Sequence, residues 1–284
     1  MNAAAAANAA GEMTLGAAEF AVIARMTHAH SGIVLAEGKR QLVYSRLAKQ
    51  VRRRGLSGFA EYVELLQTDA AARREAIFAL TTNHTKFFRE DHHFAHFTQH
   101  ARPGLIAKAE RGQPVRLWSS ASSSGEEPYT IAMTLLGDDK AAGTKLSQRD
   151  IAILATDLAP HVLTIANAGR YPADMARDVP DRFKRAWTKI EGGEMVMAPE
   201  LKRILSYRQL NLLEGWPMRG KFDVIFCRNV MIYFDEPTKA RLIERFAELL
   251  APGSLLYIGH SERVIGPATS AFEPVGQTVY RRVA

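Results

Sequence analysis

The sequence predicts an α/β protein with a doubly wound, mostly parallel sheet, a small antiparallel insertion and an N-terminal all-helical domain. After about residue 114, strand-like apolar runs alternate with helix-like segments, which is typical of a parallel sheet with helical connections. Before residue 80 the apolar spacing is helical throughout. The length of 284 residues suits one large domain plus a smaller one.

Composition shifts along the chain predict four parts. Residues 1–12 are rich in alanine without an amphipathic pattern, which indicates a disordered tail. Residues 13–82 form the predicted helical domain, and residues 83–101 form a connecting segment with polar residues of its own. The α/β domain, residues 102–284, completes the chain.

One predicted helix of the first domain has a basic face. Its apolar stripe begins at Val43 and repeats every four residues, whereas Arg46, Lys49 and Arg53 lie on another face. The net charge of +7 and the pI near 9.6 indicate an acidic partner, such as nucleic acid, an anionic membrane face or an acidic protein. A solvated helix surface explains the same pattern, so charge alone does not identify the partner.

Within the α/β domain the predicted order of elements follows the apolar runs. The predicted strands are 115–118, 151–156, 222–226, 254–259 and 278–281, and the predicted helices are 128–136, 160–168 and 236–250. The last strand follows a connection too short for a crossover helix, so it is predicted to be antiparallel. The alternation breaks after Gly169, and Gly192-Gly193 predicts a hairpin within an antiparallel insertion at about residues 178–208.

Polar residues follow two predicted strands at the edge where open α/β sheets place ligands. The apolar run FDVIFC that begins at Phe222 is typical of a buried parallel strand, and it ends at Arg228-Asn229. Asp157 closes another strand, where a carboxylate accepts the two ribose hydroxyls of a nucleoside. Capping of the helix that begins at Pro160 is the alternative role for Asp157.

The loop after the first strand, residues 119–128, is rich in serine and has one glycine. The three-glycine dinucleotide fingerprint is therefore absent, which argues against a pyrophosphate ligand. Ser124 and Glu127 fit a capping box, which leaves Glu126 to meet a cation.

Other patterns exclude several classes of protein. His92, His96 and His100 have a spacing that suits a metal, but no acidic residue is expected to complete the set, so no metal is predicted. Cys227 is expected to be buried, and one cysteine forms no internal disulfide. No apolar run is long enough to span a membrane and no secretory signal is present, so a cytoplasmic location is expected.

Four motifs in this order resemble the chemotaxis-receptor methyltransferase family, usually called CheR. They are TTNHTKFFRE at 81–90, WSSASSSGEEPYTIA at 118–132, FDVIFCRNVMIYF at 222–234 and GHSE at 259–262. The resemblance implies a class I, Rossmann-like methyltransferase fold and S-adenosylmethionine as cofactor, which becomes S-adenosylhomocysteine. It also implies methylation of chemoreceptor glutamates to methyl esters in sensory adaptation.

The resemblance further implies which residues contact the cofactor. The matching positions in this sequence are Asn83, Thr85, Arg89, Glu126, Asp157, Asn211, Leu212, Arg228 and Asn229. Arg89 is expected either to pair with the cofactor carboxylate or to align the substrate glutamate. Tyr233 is either a residue that orients the acceptor or a core tyrosine, and both alternatives remain open.

By resemblance, the basic helix with Arg46, Lys49 and Arg53 docks on a chemoreceptor coiled coil. Some relatives also bind a receptor's C-terminal pentapeptide with a glycine-rich loop and a nearby arginine. Residues 187–199 contain Gly192-Gly193 but no arginine, so this recruitment is not expected here. A nucleic-acid methyltransferase and a non-catalytic receptor-binding adaptor are the alternative functions, and neither nucleic-acid binding nor membrane insertion is expected.

Overall fold

The structure, a computed structural model, describes residues 13–283. The predicted tail, residues 1–12, lies outside the described residues. The chain divides after Thr82 into two compact units. Within the described part, no helix is long and apolar enough to cross a lipid bilayer.

The first unit is helical, as predicted. Its helices are α1 (Ala17–Ser31), α2 (Arg40–Arg53), α3 (Phe59–Thr68) and α4 (Ala70–Leu80). The stripe on α2 that includes Val43 and Leu47 is buried in the core of the unit, which confirms the helical periodicity. Asp69 is the N-cap of α4, and its carboxylate accepts hydrogen bonds from the backbone N–H groups of Ala71 and Ala72.

The second unit contains a seven-stranded main sheet and a separate three-stranded sheet, together with helices. The strands are β1 (Val115–Ser120), β2 (Ile151–Asp157), β3 (Arg170–Pro172), β4 (Thr188–Glu191), β5 (Glu194–Met197), β6 (Leu205–Gln209), β7 (Phe222–Cys227), β8 (Leu250–Ile258), β9 (Phe272–Gly276) and β10 (Val279–Arg282). The helices are α5 (Asp91–His96), α6 (Arg102–Glu110), α7 (Glu126–Leu136), α8 (Lys140–Leu146), α9 (Pro160–Ala168), α10 (Asp181–Trp187), α11 (Pro199–Ile204) and α12 (Glu236–Leu249).

The main sheet has the order β6-β2-β1-β7-β8-β10-β9. Strands β6, β2, β1, β7 and β8 pair in parallel, whereas β10 pairs antiparallel with both β8 and β9. The predicted doubly wound sheet with an antiparallel end is thus confirmed. The central strands β1 and β7 are almost entirely buried because side chains on both of their faces are covered, which explains their continuous apolar runs.

The antiparallel insertion is a three-stranded sheet of order β3-β5-β4. Gly192 and Gly193 have positive φ angles of 58° and 81° in the predicted hairpin between β4 and β5. The predicted bounds, 178–208, differ from the structure at both ends. The small sheet begins at Arg170, and Leu205–Gln209 joins the main sheet beside β2 because its backbone groups pair there.

Candidate functional site

Three strands of the main sheet end side by side. Ser120 at the end of β1 lies level with Thr156 in β2 and with Cys227 in β7. Since these strands are parallel, the segments that follow them leave from one edge of the sheet. We call this edge, with the segments that follow β1, β2, β6 and β7, the rim.

Asp157 is buried at the rim, with 7% of its surface exposed. Its Oδ2 atom accepts a hydrogen bond from the backbone N–H of Ser123 at 2.9 Å, and Oδ1 accepts one from Ala159 at 3.0 Å. Burial raises the pKa of Asp157, although these hydrogen bonds oppose the shift. Asp157 therefore orients two loops, and its two oxygens have further lone pairs for hydroxyl groups of a ligand. The N-cap of α9 is Ala159, so the capping alternative for Asp157 is not observed.

The loop after β1 has an unusual backbone. Ala121, Ser123 and Gly125 all have positive φ angles, of 62°, 49° and 99°. A Cβ atom on Gly125 would lie 2.7 Å from the Cβ of Ala166 and 2.8 Å from the hydroxyl of Tyr171. The single glycine of this loop therefore allows α7 and α9 to approach closely.

The predicted capping box at the start of α7 is wrong. The hydroxyl of Ser124 donates to the carboxylate of Glu126, at 2.8 and 3.0 Å, and Gly125 is the N-cap. Glu127 instead accepts a hydrogen bond from the Ser119 hydroxyl at 2.7 Å. Glu126 is 3% exposed, and burial raises its pKa. The two adjacent glutamates thus point to different partners, which their spacing in the sequence does not reveal.

Arg228 is held by carboxylates from two segments. Its guanidinium lies 2.8 Å from the carboxylate of Glu127 and 3.3 Å from that of Glu90, and it also donates to the carbonyl of Arg89. The side chain is only 1% exposed, so this charge requires such partners. Arg228 therefore attaches the segment that precedes α5 to the end of β7. The sequence pattern indicates no role for Glu90 and only a capping role for Glu127.

Glu262 organises the turn after β7. It is 5% exposed, and its carboxylate accepts hydrogen bonds from the backbone N–H groups of Asn229, Ile232 and Gly259 at 3.1, 3.2 and 2.6 Å. Asn229 itself has a positive φ of 58°. The sequence does not indicate this role, although Glu262 is the last residue of the GHSE motif at 259–262.

Glu90 connects this turn to the segment before α5. Its Oε1 accepts hydrogen bonds from the side-chain amide of Asn229 at 3.0 Å and from Nδ1 of His260 at 2.7 Å. Burial by itself would raise the pKa of Glu90, but these hydrogen bonds and the charge of Arg228 lower it to about 2. Glu90 is consequently ionised at neutral pH.

The segment 83–89 lies along the rim. The carbonyl of Asn83 accepts a hydrogen bond from the Ser123 hydroxyl at 2.9 Å, which places Asn83 near the carboxylate of Asp157. Arg89 donates to the carbonyl of His84 at 2.9 Å. Thr85 is half-buried in the same segment.

Asn211 and Leu212 follow β6 at the rim. The backbone N–H of Leu210 donates to the carbonyl of Asp157 at 3.0 Å, so the pair begins next to Asp157. Asn211 accepts a hydrogen bond from the N–H of Leu213 at 3.1 Å and donates to Glu214 at 3.1 Å. Leu212 is buried. The structure thus brings together Asn83, Asp157 and Asn211 from three distant parts of the sequence.

Tyr233 is half-buried in a short 3₁₀ turn, Met231–Tyr233, after Asn229. It follows Asn229 by a tight turn and not by a turn of α-helix, because α12 begins only at Glu236. No hydrogen bond of its hydroxyl to another described residue is observed.

The three predicted receptor-binding residues lie on α2 in the first unit. Arg46 donates to the carbonyls of Leu80 and Thr81 at 2.7 and 2.9 Å, which satisfies the C-terminal end of α4. Arg53 forms an exposed ion pair with Glu75 at 2.9 Å. The side chain of Lys49 is exposed and forms no hydrogen bond or ion pair within residues 13–283. The predicted basic face is therefore partly used for the stability of its own domain.

The expectation that no acidic residue would complete a histidine cluster is wrong. Ligand atoms of Glu90, His92 and His93 lie within 4.8 Å of one another, whereas His96 bonds instead to the hydroxyl of Tyr257. Burial, followed by the charge of Arg228, lowers the pKa of His93 to about 3. The same guanidinium charge disfavours a metal ion beside Glu90, so we propose no metal for this cluster.

The rim offers carboxylates, serine hydroxyls and an amide, and Arg228 and the neighbouring Arg89 are already engaged with protein groups. This donor set fits a nucleoside that carries positive charge, because carboxylates attract cations and repel phosphate. Buried Asp157 and Glu126 are the residues best suited to hold such a molecule.

Comparison with known proteins agrees with this chemistry. The family model described as "CheR methyltransferase, SAM binding domain" matches residues 83–281, and "CheR methyltransferase, all-alpha domain" matches residues 18–81. The chain is 48% identical over 262 residues to a probable chemotaxis protein methyltransferase of Rhizobium etli, which covers 90% of this chain and 96% of that protein. It is 43% identical to chemotaxis protein methyltransferase 2 of Pseudomonas aeruginosa, which covers 88% of each chain. It is 38% identical to the chemotaxis protein methyltransferase of Escherichia coli, which covers 94% of this chain and 92% of that protein.

Proposed function

This chain belongs to the CheR methyltransferase family, and we propose that it methylates glutamate side chains of chemoreceptors during sensory adaptation. The chain is a methyltransferase, and its cofactor is S-adenosylmethionine. The assignment of the rim as the cofactor site rests on the position and burial of Asp157. Its buried carboxylate closes β2, where an acidic side chain can accept ribose hydroxyls, and two backbone N–H groups hold it in place.

We assign the adenosyl half of the cofactor to the rim between β2 and β6. Asp157 accepts the ribose hydroxyls, whereas the amide of Asn211 and the side chain of Leu212 border the adenine. Asn211 lies near Asp157 because β2 and β6 pair in parallel, with Asp157 opposite Gln209.

The methionine half is assigned to the segments around β1 and β7. Buried Glu126 faces the positive charge, and Asn83, Thr85 and Arg89 contact the amino-acid end. Arg228 and Asn229 border this part of the site. Their own hydrogen bonds to Glu127, Glu90 and Glu262 keep that border rigid.

The reaction requires positioning more than proton transfer. The bound cofactor supplies an electrophilic methyl group on a sulfonium. The attacking glutamate is already ionised at neutral pH, so the protein needs no strong general base. Tyr233 and Arg89 are our candidates to align the acceptor carboxylate, an effect of proximity and orientation.

The protein partner is the coiled coil of a chemoreceptor, docked on helix α2. Lys49 is the residue of the basic face that is exposed and not engaged within residues 13–283. We further propose activity without a receptor pentapeptide, since residues 187–199 contain no arginine and Arg170, beside the hairpin on β3, is paired with Glu194 at 2.8 Å. Equal methylation of receptors with and without their tails is expected, and a large loss on tail removal would contradict this.

The test is methyl transfer from labelled S-adenosylmethionine to chemoreceptor-bearing membranes. Label released as methanol by mild base identifies a carboxyl ester and excludes a methylated nucleobase. Asp157→Asn is expected to reduce the rate at least about tenfold by weakening cofactor binding. The exposed Asp138→Asn is the matched control and should behave as wild type. Absence of base-labile label with any receptor would refute the proposed substrate, and cofactor binding without turnover would favour an adaptor.

A further inference from the structure

We propose that Arg245 on α12 is a positioning residue that holds the segment 211–216, here called the adenosyl loop, in the shape that receives the cofactor. This inference rests on the proposed function, because that function assigns Asn211 and Leu212 to the adenine. Arg245 does not itself lie at the end of any strand of the rim. Its effect would therefore be exerted through the loop.

The guanidinium of Arg245 contacts the adenosyl loop at three points. Nη1 donates to the carbonyl of Leu212 at 2.6 Å and Nη2 donates to the carbonyl of Glu214 at 2.6 Å. The guanidinium carbon lies 3.6 Å from the ring centroid of Trp216, which is a stacking distance. One planar group thus sets the position of two peptide units and one aromatic ring.

The ring of Trp216 extends this attachment to the sheet. It packs edge-on against Trp118 of β1 with centroids 4.9 Å apart, and it packs against Phe246 of α12 at 5.3 Å. Trp118 is fully buried, so it provides a rigid base. The far end of the loop is therefore held between α12 and β1.

The near end of the loop depends on short local hydrogen bonds. The side chain of Asn211 bonds to Leu213 and Glu214, and the backbone carbonyl of Asn211 accepts from Glu214 at 3.2 Å. The position of Asn211 in this turn depends on the residues that follow it, and Arg245 fixes two of them, Leu212 and Glu214, by donating to their carbonyls. Without Arg245, the loss of two charge-assisted hydrogen bonds would free the turn that presents Asn211.

The consequence for the enzyme is specific to the adenosyl half of the cofactor. An untethered loop must be ordered on binding, which lowers affinity. The groups assigned to methyl transfer, Arg89 and Tyr233, lie on other segments, so turnover at saturation should be retained. A lysine at position 245 would keep the charge but lose the planar fork and the stacking on Trp216.

The experiment uses Arg245→Lys and Arg245→Met in the full chain, with Arg241→Lys as control. Arg241 lies one turn earlier on α12 and bonds to Thr238 of its own helix. Calorimetry with S-adenosylhomocysteine and with 5′-methylthioadenosine, which lacks the amino-acid end, gives the affinities. We expect both Arg245 variants to bind both ligands about tenfold more weakly, or about 1.4 kcal/mol. The KM for S-adenosylmethionine should rise similarly, with kcat within about twofold of wild type.

Tryptophan fluorescence supplies an independent readout, because the Arg245 variants change the environment of Trp216 whereas Arg241→Lys does not. Wild-type affinity in folded Arg245→Lys and Arg245→Met would overturn the proposal, as would a fall in kcat at unchanged KM. If Arg245→Met does not fold, Arg245→Lys decides the outcome. Failure of wild type to bind S-adenosylhomocysteine would instead refute the proposed cofactor site, so the two failures are distinguishable.

Discussion

Replacement of Glu262 by alanine tests whether one buried carboxylate maintains the turn after β7. In the folded protein its two oxygens accept hydrogen bonds from the backbone N–H groups of Asn229, Ile232 and Gly259. Alanine would leave three N–H groups without their acceptor. A buried donor without a partner costs about 1–3 kcal/mol.

We take the lower end of this range because water can enter the space that the carboxyl group leaves. Three donors then give a loss of about 3 kcal/mol in the free energy of unfolding. For a domain of about 200 residues, this loss lowers the melting temperature by roughly 6–12 °C. Glu262→Gln should lose less, because its amide oxygen still accepts but its amide nitrogen faces an N–H group.

The assays are urea and thermal unfolding together with calorimetric binding of S-adenosylhomocysteine. Glu262→Ala is also expected to weaken binding, because Asn229 would no longer be held at its positive φ. Glu110→Ala, at an exposed position near the end of α6, is the control. If Glu262→Ala melted within about 2 °C of wild type, the hydrogen bonds would not stabilise the turn as we infer.

Three further predictions concern single residues in both units. Gly125→Ala should lower the free energy of unfolding by about 2–4 kcal/mol, because a Cβ there would lie 2.7 Å from its nearest neighbour at a φ of 99°. Gly192→Ala, with open space around it, should lower the free energy of unfolding by about 1 kcal/mol. Equal urea midpoints for the two variants would contradict this. Arg46→Ala should lower the free energy of unfolding of the first unit by about 1–2 kcal/mol, and a urea midpoint equal to that of wild type would refute this. Lys49→Ala should reduce receptor methylation without a change in stability. Urea unfolding and the methylation assay separate the two effects. In the unfolded chain His93 takes up a proton near pH 6.5, whereas in the folded protein its pKa is about 3. Lowering the pH from 7 to 5 should therefore reduce the free energy of unfolding of wild type by about 2 kcal/mol more than that of His93→Gln. Parallel pH dependences of the two proteins would contradict this.

The sequence predicted the order of the elements because each has its own periodicity. The helix over 160–168 agrees with Pro160–Ala168, and the strand from Phe222 ends one residue later than predicted, at Cys227. Such buried parallel strands appear as continuous apolar runs that can be recognised without tertiary information. The sequence places residues 205–208 in the insertion, whereas in the structure β6 pairs with β2 of the main sheet. The choice of sheet depends on which backbone N–H and C=O groups the strand bonds to.

The candidate site was predictable only in part. The strand-end position identifies Asp157 and the resemblance identifies Asn83, and the structure links both to Ser123 by hydrogen bonds, although their contact with the cofactor stays a prediction. The sequence does not indicate the roles of Glu90 and Glu262, because a side chain that accepts hydrogen bonds from another residue leaves no periodic pattern. The charge pattern and the resemblance predict a receptor contact for Arg46, but neither shows that it bonds to carbonyls 34 and 35 residues away.

By itself, the sequence determined the fold class, the two kinds of domain and the polar ends of the strands, because these follow from local periodicity and from position along the chain. Tertiary structure alone decided which glutamates pair with Arg228, which residues hold Asn229 and which arginine holds the adenosyl loop. Those choices join residues about 30 to 140 positions apart. They depend on distances of a few ångströms and on which side chains are buried, and only the packed chain sets both.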